Sequence, residues 1–84
     1  MALYFQWHRI QGTLSDIGTE LRRAVEVHRA MVSAHEGYAI LLEEVDELWT
    51  EIKNKEQDAA AIRKEAIQVA AMALEIAILF GKDV

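Results

Sequence analysis

The chain has 84 residues, no cysteine and a formal net charge of −5. A chain of this length makes one domain and buries only about 60 to 65% of its unfolded surface. Because 52% of its residues are hydrophobic and no disulfide can stabilise it, we expect burial against further copies of the chain, as a homodimer or homotetramer. The acidity is local, since residues 36–58 hold eight Asp and Glu against two Lys. A basic face is missing, so we expect no direct nucleic-acid binding.

The longest apolar run, Ala66 to Phe80, is interrupted by Gln68 and Glu75. It is too short and too interrupted to span a bilayer, and no secretory signal precedes it. The absence of cysteine fits a reducing compartment. We therefore expect a cytoplasmic protein without a membrane partner.

The first twelve residues are aromatic and lack a clear period. This pattern predicts a partly ordered lead-in or a short helical turn. Trp7 could stack on the nucleobase of a substrate. The other interpretation is that Trp7 covers an exposed edge of the core.

A first helix is predicted over residues 13–32, because Thr13 and Asp16 resemble a capping box. His28 falls within its apolar stripe, where it is either a buried, hydrogen-bonded residue or a pocket residue that contacts substrate or phosphate. Three arginines fall on the outer face, where we expect them to be solvated: Arg22, Arg23 and Arg29.

A second helix is predicted over residues 34–54, opened by a capping box of Ser33 and Glu36. Gly37 in its first turn allows close approach of a ligand or another helix. At about 100° per residue, one face of this helix is apolar: Tyr38, Leu41, Leu42, Val45, Leu48, Trp49 and Ile52. A neighbouring face is acidic: Glu36, Glu43, Glu44, Glu47 and Glu51. Carboxylates one turn apart repel each other, so this face is expected to bind a cation.

A third helix is predicted over residues 58–80, with Asp58 as N-cap and Gly81 as the stop. Its small residues form a strip that allows close helix packing: Ala66, Ala70, Ala73 and Ala77. Bulky apolar residues cover its other sides, which indicates an all-α antiparallel bundle of three main helices, completed by oligomerisation.

Two polar residues of the third helix, Glu65 and Gln68, are expected to face the acidic side of the second helix across an antiparallel pair. Carboxylate oxygens from two helices suit Mg²⁺ or Mn²⁺, since hard cations take oxygen ligands and keep waters that substrate phosphates can replace. The sequence therefore predicts a divalent-metal site between these helices.

The segment Glu43-Glu44-Val45-Asp46-Glu47, a gap of 17 residues and then Glu65-Ala66-Ile67-Gln68 resemble the signature of the MazG-type, all-α nucleoside triphosphate pyrophosphohydrolases. That signature is Glu-Glu-x-x-Glu followed by Glu-x-x-Asp, and the likeness covers residues 14–80. The resemblance implies that Glu44, Glu47 and Glu65 are metal ligands. It also implies that Glu43 is a further ligand or a base that orients water, so that Glu43 and Glu44 are the catalytic carboxylates.

Gln68 stands where the family has Asp. Its amide oxygen can coordinate Mg²⁺ but carries no charge, so the site is expected to be weakened unless Asp46 or Glu75 compensates. The function implied by the resemblance is hydrolysis of a nucleoside triphosphate to monophosphate and pyrophosphate, with water attacking in line at a metal-neutralised phosphate. Two alternatives stay open: a non-catalytic helical oligomerisation or partner-binding module, and a relative that binds metal or nucleotide without turnover.

Overall fold

The computed structural model describes residues 6–82, and within that range the protein is all-α, as predicted. Three helices follow one another: α1 (Trp7–Val27), α2 (Ala34–Lys53) and α3 (Ala59–Phe80). No strand occurs between residues 6 and 82. In the same range, no helix combines the length and apolar character that crossing a bilayer requires.

The N-terminal ends of α2 and α3 are fixed by the residues that the sequence predicts. Ser33 Oγ accepts a hydrogen bond of 3.0 Å from the Glu36 amide. Asp58 Oδ1 accepts hydrogen bonds from the amides of the second and third residues of α3. Both side chains satisfy amide groups that have no partner inside the helix. The predicted caps of α2 and α3 are therefore confirmed.

The bounds predicted for the first helix are wrong at both ends. It begins at Trp7, six residues before Thr13, and it ends at Val27 instead of residue 32. No proline interrupts residues 7–12, and Gly12 alone costs only about 1 kcal/mol relative to Ala, so helix forms through them. The predicted capping pair lies inside α1, where Arg63 donates to Asp16 at 2.7 Å and to Thr13 at 3.5 Å. Residues 1–5 of the predicted lead-in lie outside the described residues.

A tertiary hydrogen bond replaces the helical bond that a longer α1 would make. A continuing helix would direct the Met31 amide to the carbonyl of Val27, four residues back. Instead, this amide donates to Glu75 Oε2 on α3 at 3.1 Å. His28 takes an extended conformation, with φ −117° and ψ 156°, and residues 28–33 form the connector to α2.

α3 is the central helix of the fold. It packs against both other helices, whereas no Cα atom of α1 comes within 8 Å of a Cα atom of α2. Gly37 is the point of closest approach, because an added Cβ atom would lie 2.8 Å from Met31 Sδ and 2.9 Å from Ile76 Cγ1. The predicted role of Gly37 is thus confirmed for a neighbouring helix. Further along α2, Glu44 lies beside Gln68, so residues of α2 meet those of α3 in reverse order.

The core of the described chain is small. Its buried apolar residues are Ala24, Met31 and Ala71, and no large side chain is fully buried. The predicted apolar face of α2 is divided in two. Leu41 and Leu48 are half-buried, while five others are exposed: Tyr38, Leu42, Val45, Trp49 and Ile52. We call these five the α2 ridge. The bundle arrangement and its completion by oligomerisation stay predictions.

Candidate metal centre

Three carboxylates meet where α2 packs on α3. Glu44 and Glu47 are one helical turn apart and therefore point to the same side of α2. The pairing of α2 with α3 brings Glu65 against them, and one oxygen of each carboxylate lies within 4.8 Å of the others. Glu44 and Glu65 are half-buried, and Glu47 is exposed. The cluster is the set of carboxylates that the resemblance implies as metal ligands.

The cluster is electrostatically unfavourable when it is fully ionised. Burial, and then repulsion from Glu47, Glu65 and Glu20, raises the pKa of Glu44 to about 7. Burial is also the largest cause of the raised pKa of Glu65, followed by repulsion from Glu47. Both shifts favour the neutral acid, because the charged form loses water and faces like charges. A divalent cation at this place would reverse that balance.

Gln68 lies between two of these carboxylates and acts as a hydrogen-bond donor. Because carboxylate oxygens can only accept hydrogen bonds, the side-chain amide is oriented with its nitrogen toward them. Nε2 then donates to Glu65 Oε2 at 3.0 Å and to Glu44 Oε2 at 3.1 Å. The amide therefore offsets part of the repulsion without a metal. To serve as the predicted ligand, Gln68 would have to turn its amide by about 180° and present Oε1.

Neither residue that was expected to compensate for Gln68 joins the cluster. Asp46 and Glu75 are both outside the group of carboxylates whose oxygens converge. Glu75 is seven residues beyond Gln68 on α3, which corresponds to about 10 Å along the helix. The expectation that one of them replaces the family Asp is not supported by this geometry.

A cavity of about 520 Å³ adjoins the cluster, in the gap that α1 and α2 leave above α3. Glu44 belongs both to its wall and to the carboxylate cluster. Gln68, which contacts the cluster, also lies on the wall, as do Glu43 and His28. The full lining is Glu20, Arg23, Ala24, His28, Arg29, Met31, Glu36, Ile40, Glu43, Glu44, Gln68, Met72 and Glu75. His28 is exposed and follows the last residue of α1, so its predicted place within a buried stripe is wrong, whereas a pocket position fits.

Trp7 is not brought to this cavity. It is the first residue of α1, is exposed and is absent from the cavity wall. Thirteen residues separate it from Glu20, a distance of about 20 Å along the helix. The structure therefore separates Trp7 from the other predicted site residues.

Two arginines, Arg23 and Arg29, are exposed, as the sequence predicts, but sequence reasoning missed that they also border the cavity. Arg23 and Arg29 lie on the cavity wall, where their guanidinium groups pair with Glu20 at 2.6 Å and Glu36 at 2.7 Å. The hydrogen bond from Arg29 is the largest cause of the lowered pKa of Glu36, with the amide of Val32 next. Arg29 reaches the cavity because α1 ends before it, and no periodicity in the sequence signals that end.

Comparisons of the chain with protein-family models, with curated proteins and with solved structures each find no match. The likeness to the MazG-type enzymes therefore rests on the spacing of the acidic motif. The geometry of its carboxylates is an observation independent of that likeness.

Proposed function

We propose that the protein is a metal-dependent nucleoside triphosphate pyrophosphohydrolase, which releases a nucleoside monophosphate and pyrophosphate. The observation that carries the proposal is the convergence of Glu44, Glu47 and Glu65 at the edge of a cavity. Carboxylate oxygens are the ligands that Mg²⁺ and Mn²⁺ prefer. Arginines on the same wall supply donors for phosphate oxygens.

The donor set fits a small divalent cation. Mg²⁺ holds its ligands at about 2.0–2.1 Å in octahedral geometry, so two of its ligand atoms lie at most about 4.2 Å apart. The three carboxylate oxygens lie within 4.8 Å of one another. Side-chain rotations that move an oxygen by roughly half an ångström bring them within the distance that a single Mg²⁺ requires. Glu47 is exposed, which leaves an open side for waters and phosphate oxygens.

The residues of the chain have distinct parts in the proposed reaction. When bound, the metal supplies positive charge that neutralises the phosphates. Arg23 exchanges its carboxylate partner Glu20 for phosphate oxygens and holds the triphosphate in place. Glu43, on the cavity wall, orients a water and accepts its proton. The water oxygen forms a bond to the α-phosphorus while the bond to the bridging oxygen breaks, and pyrophosphate leaves with that electron pair.

A panel of nucleoside triphosphates with Mg²⁺ or Mn²⁺, followed by product analysis, tests the proposal. Release of monophosphate and pyrophosphate that stops when a chelator is added is the expected result. Glu43→Gln should lower the rate, whereas Asp46→Asn, on the same helix outside the cluster, is the matched control. Nucleotide binding without release of products would favour the alternative that the protein binds nucleotide without hydrolysing it. Gln68 supports this alternative, because its amide carries no charge where the resemblance would place an Asp.

We propose further that the chain self-associates through the α2 ridge into an antiparallel helical bundle, as a dimer or tetramer. The five ridge residues are exposed and follow one another at steps of four, three, four and three residues. This spacing is typical of a seam that packs against another helix at a crossing angle of about 20°. A purely structural oligomerisation module would use the same surface, so the ridge supports that alternative function as well.

A further inference from the structure

Glu75 is a largely buried carboxylate with one hydrogen-bond partner among the described residues. Its residue is only 6% exposed, and it is the one buried charged residue between positions 6 and 82. Oε2 accepts the Met31 amide at 3.1 Å, and no other described residue donates a hydrogen bond to this carboxylate or pairs with it. An ionised carboxylate can accept about four hydrogen bonds, and a buried one with few of them is costly. No buried side-chain oxygen of the described residues lacks a partner, so the second oxygen of Glu75 is open to the cavity that Glu75 lines.

The position of Glu75 indicates where a partner of this oxygen would lie. Glu75 belongs to the wall of the 520 Å³ cavity, at the end opposite the carboxylate cluster, since it follows Gln68 by about 10 Å along α3. Near Glu75 the wall combines apolar Met31, Ile40 and Met72 with the polar side chains of His28, Arg29 and Glu36. A ligand whose phosphates lie at Glu44 would thus present its far end to apolar side chains and to one oxygen of Glu75, a hydrogen-bond acceptor. A nucleobase has this character, because its faces are apolar and its edge carries N–H groups.

We propose that Glu75 is the specificity-determining residue of this cavity and that it selects nucleobases with an exocyclic amine. Glu75 Oε1 accepts a hydrogen bond from that amine, while Oε2 keeps the Met31 amide. The identity of the ligand as a nucleotide rests on the function proposed above. What is new is the role of Glu75, which lies outside the acidic motif.

The discrimination follows from the chemistry of the two edges. An ionised carboxylate has no proton to donate, so an oxo group in place of the amine would set two acceptor oxygens against each other inside the cavity. It would also leave Oε1 of Glu75 without a donor, and sites built to hydrogen-bond a substrate N–H reject analogues that lack it most strongly. Since a hydrogen bond to a charged group contributes about 1.5–3 kcal/mol, we expect a preference of about ten- to a hundredfold. Cytosine against uracil, and adenine against hypoxanthine, are pairs in which an amine is exchanged for an oxo group.

Glu75→Gln tests this role and separates it from a purely structural one. The glutamine carbonyl can still accept the Met31 amide, so the connector keeps its anchor. The free atom becomes an NH₂ group, which donates instead of accepting. Merely anchoring the connector would leave the base preference unchanged, whereas the proposed role predicts that the preference disappears or inverts in favour of the oxo bases.

The experiment is equilibrium dialysis of the full chain with Mg²⁺ and the α,β-methylene analogues of CTP, UTP, ATP and ITP, which retain the base and resist cleavage. The wild type should bind the CTP and ATP analogues about ten- to a hundredfold more tightly than their oxo counterparts, and Glu75→Gln should remove or invert both ratios. Equal binding of all four by the wild type would overturn the proposal even if the variant failed to fold. An unchanged ratio in a folded variant would also overturn it. Binding of none of the four would instead refute the proposed nucleotide function itself.

Discussion

The two sides of α2 differ in what they contact, although both adjoin the seam that packs on α3. At about 100° per residue, Glu43 and Glu47 lie to one side of the seam and the α2 ridge lies to the other. The acidic flank borders a cavity. The neighbouring helix α3 contributes Glu65 and Gln68 to the carboxylate cluster and its surroundings. Among the described residues the ridge gains no such neighbour and stays exposed. One helix thus carries a surface that the rest of the described chain contacts and a surface that it leaves exposed.

The largest expected effect comes from neutralising the acidic flank. Glu44→Gln and Glu47→Gln each remove a charged oxygen ligand, and we expect metal-dependent pyrophosphohydrolysis to fall by at least about a hundredfold. The apo-protein should be equally or slightly more stable, since like-charge repulsion is relieved. Initial rates and thermal melting measure the two effects. Activity close to that of the Asp46→Asn control in both variants would show that the assigned ligands are wrong.

Charging the ridge should weaken self-association without touching the cavity. Val45→Lys places a charge at the middle of the ridge, and we expect a cost of about 2 kcal/mol, or roughly thirtyfold in the dissociation constant. Ala39→Lys is the matched control, because Ala39 is an exposed residue of α2 outside both flanks. Sedimentation at micromolar concentration measures the change. A wild type that sediments as a stable, folded monomer would contradict the proposed self-association through the α2 ridge.

Gln68→Asp should change apo stability and metal affinity in opposite directions. The variant loses the amide that donates to Glu44 and Glu65 and adds a further like charge, so we expect the apo-protein to lose about 1 kcal/mol. With Mg²⁺ bound, the added carboxylate attracts the cation, and we expect affinity to rise about tenfold. Calorimetric titration and melting with and without Mg²⁺ measure both quantities. If the substitution altered neither, Gln68 would not belong to the site.

The pH dependence of stability provides the smallest effect, because water screens a half-buried carboxyl group. The pKa of Glu44 is raised from 4.5 in the unfolded chain to about 7 in the folded protein, so the folded state holds the proton more tightly. This contribution to stability is fully present below pH 4.5 and is lost as pH rises through 7. Denaturation with chelator present, from pH 4.5 to 8, should show a decline that is smaller in Glu44→Gln. Equal slopes in the two proteins would contradict the raised pKa.

The amino-acid sequence by itself determined that the described chain is helical and where α2 and α3 begin. Ser33 and Asp58 cap α2 and α3 because their side-chain oxygens satisfy local amide groups, a contact that needs no distant partner. The one-turn spacing of Glu44 and Glu47 places both carboxylates on one side of α2 through helical geometry alone. Because the link between α2 and α3 is short, the two helices are expected to pack antiparallel, and this arrangement predicted Glu65 opposite Glu44 and Glu47.

Only the tertiary structure decided which contacts end an element and which faces are covered. The Met31 amide bonds to Glu75 instead of continuing α1, and the early end of α1 leaves Arg29 on the cavity wall. Met31 and Glu75 are 44 positions apart, and no local pattern connects them. The sequence also did not predict that the apolar face of α2 is divided into a packed part and an exposed part. Periodicity shows the direction in which a side chain points from the helix axis, but not whether another helix lies in that direction. The donor role of Gln68 likewise depends on two carboxylates that meet only after α2 and α3 pack.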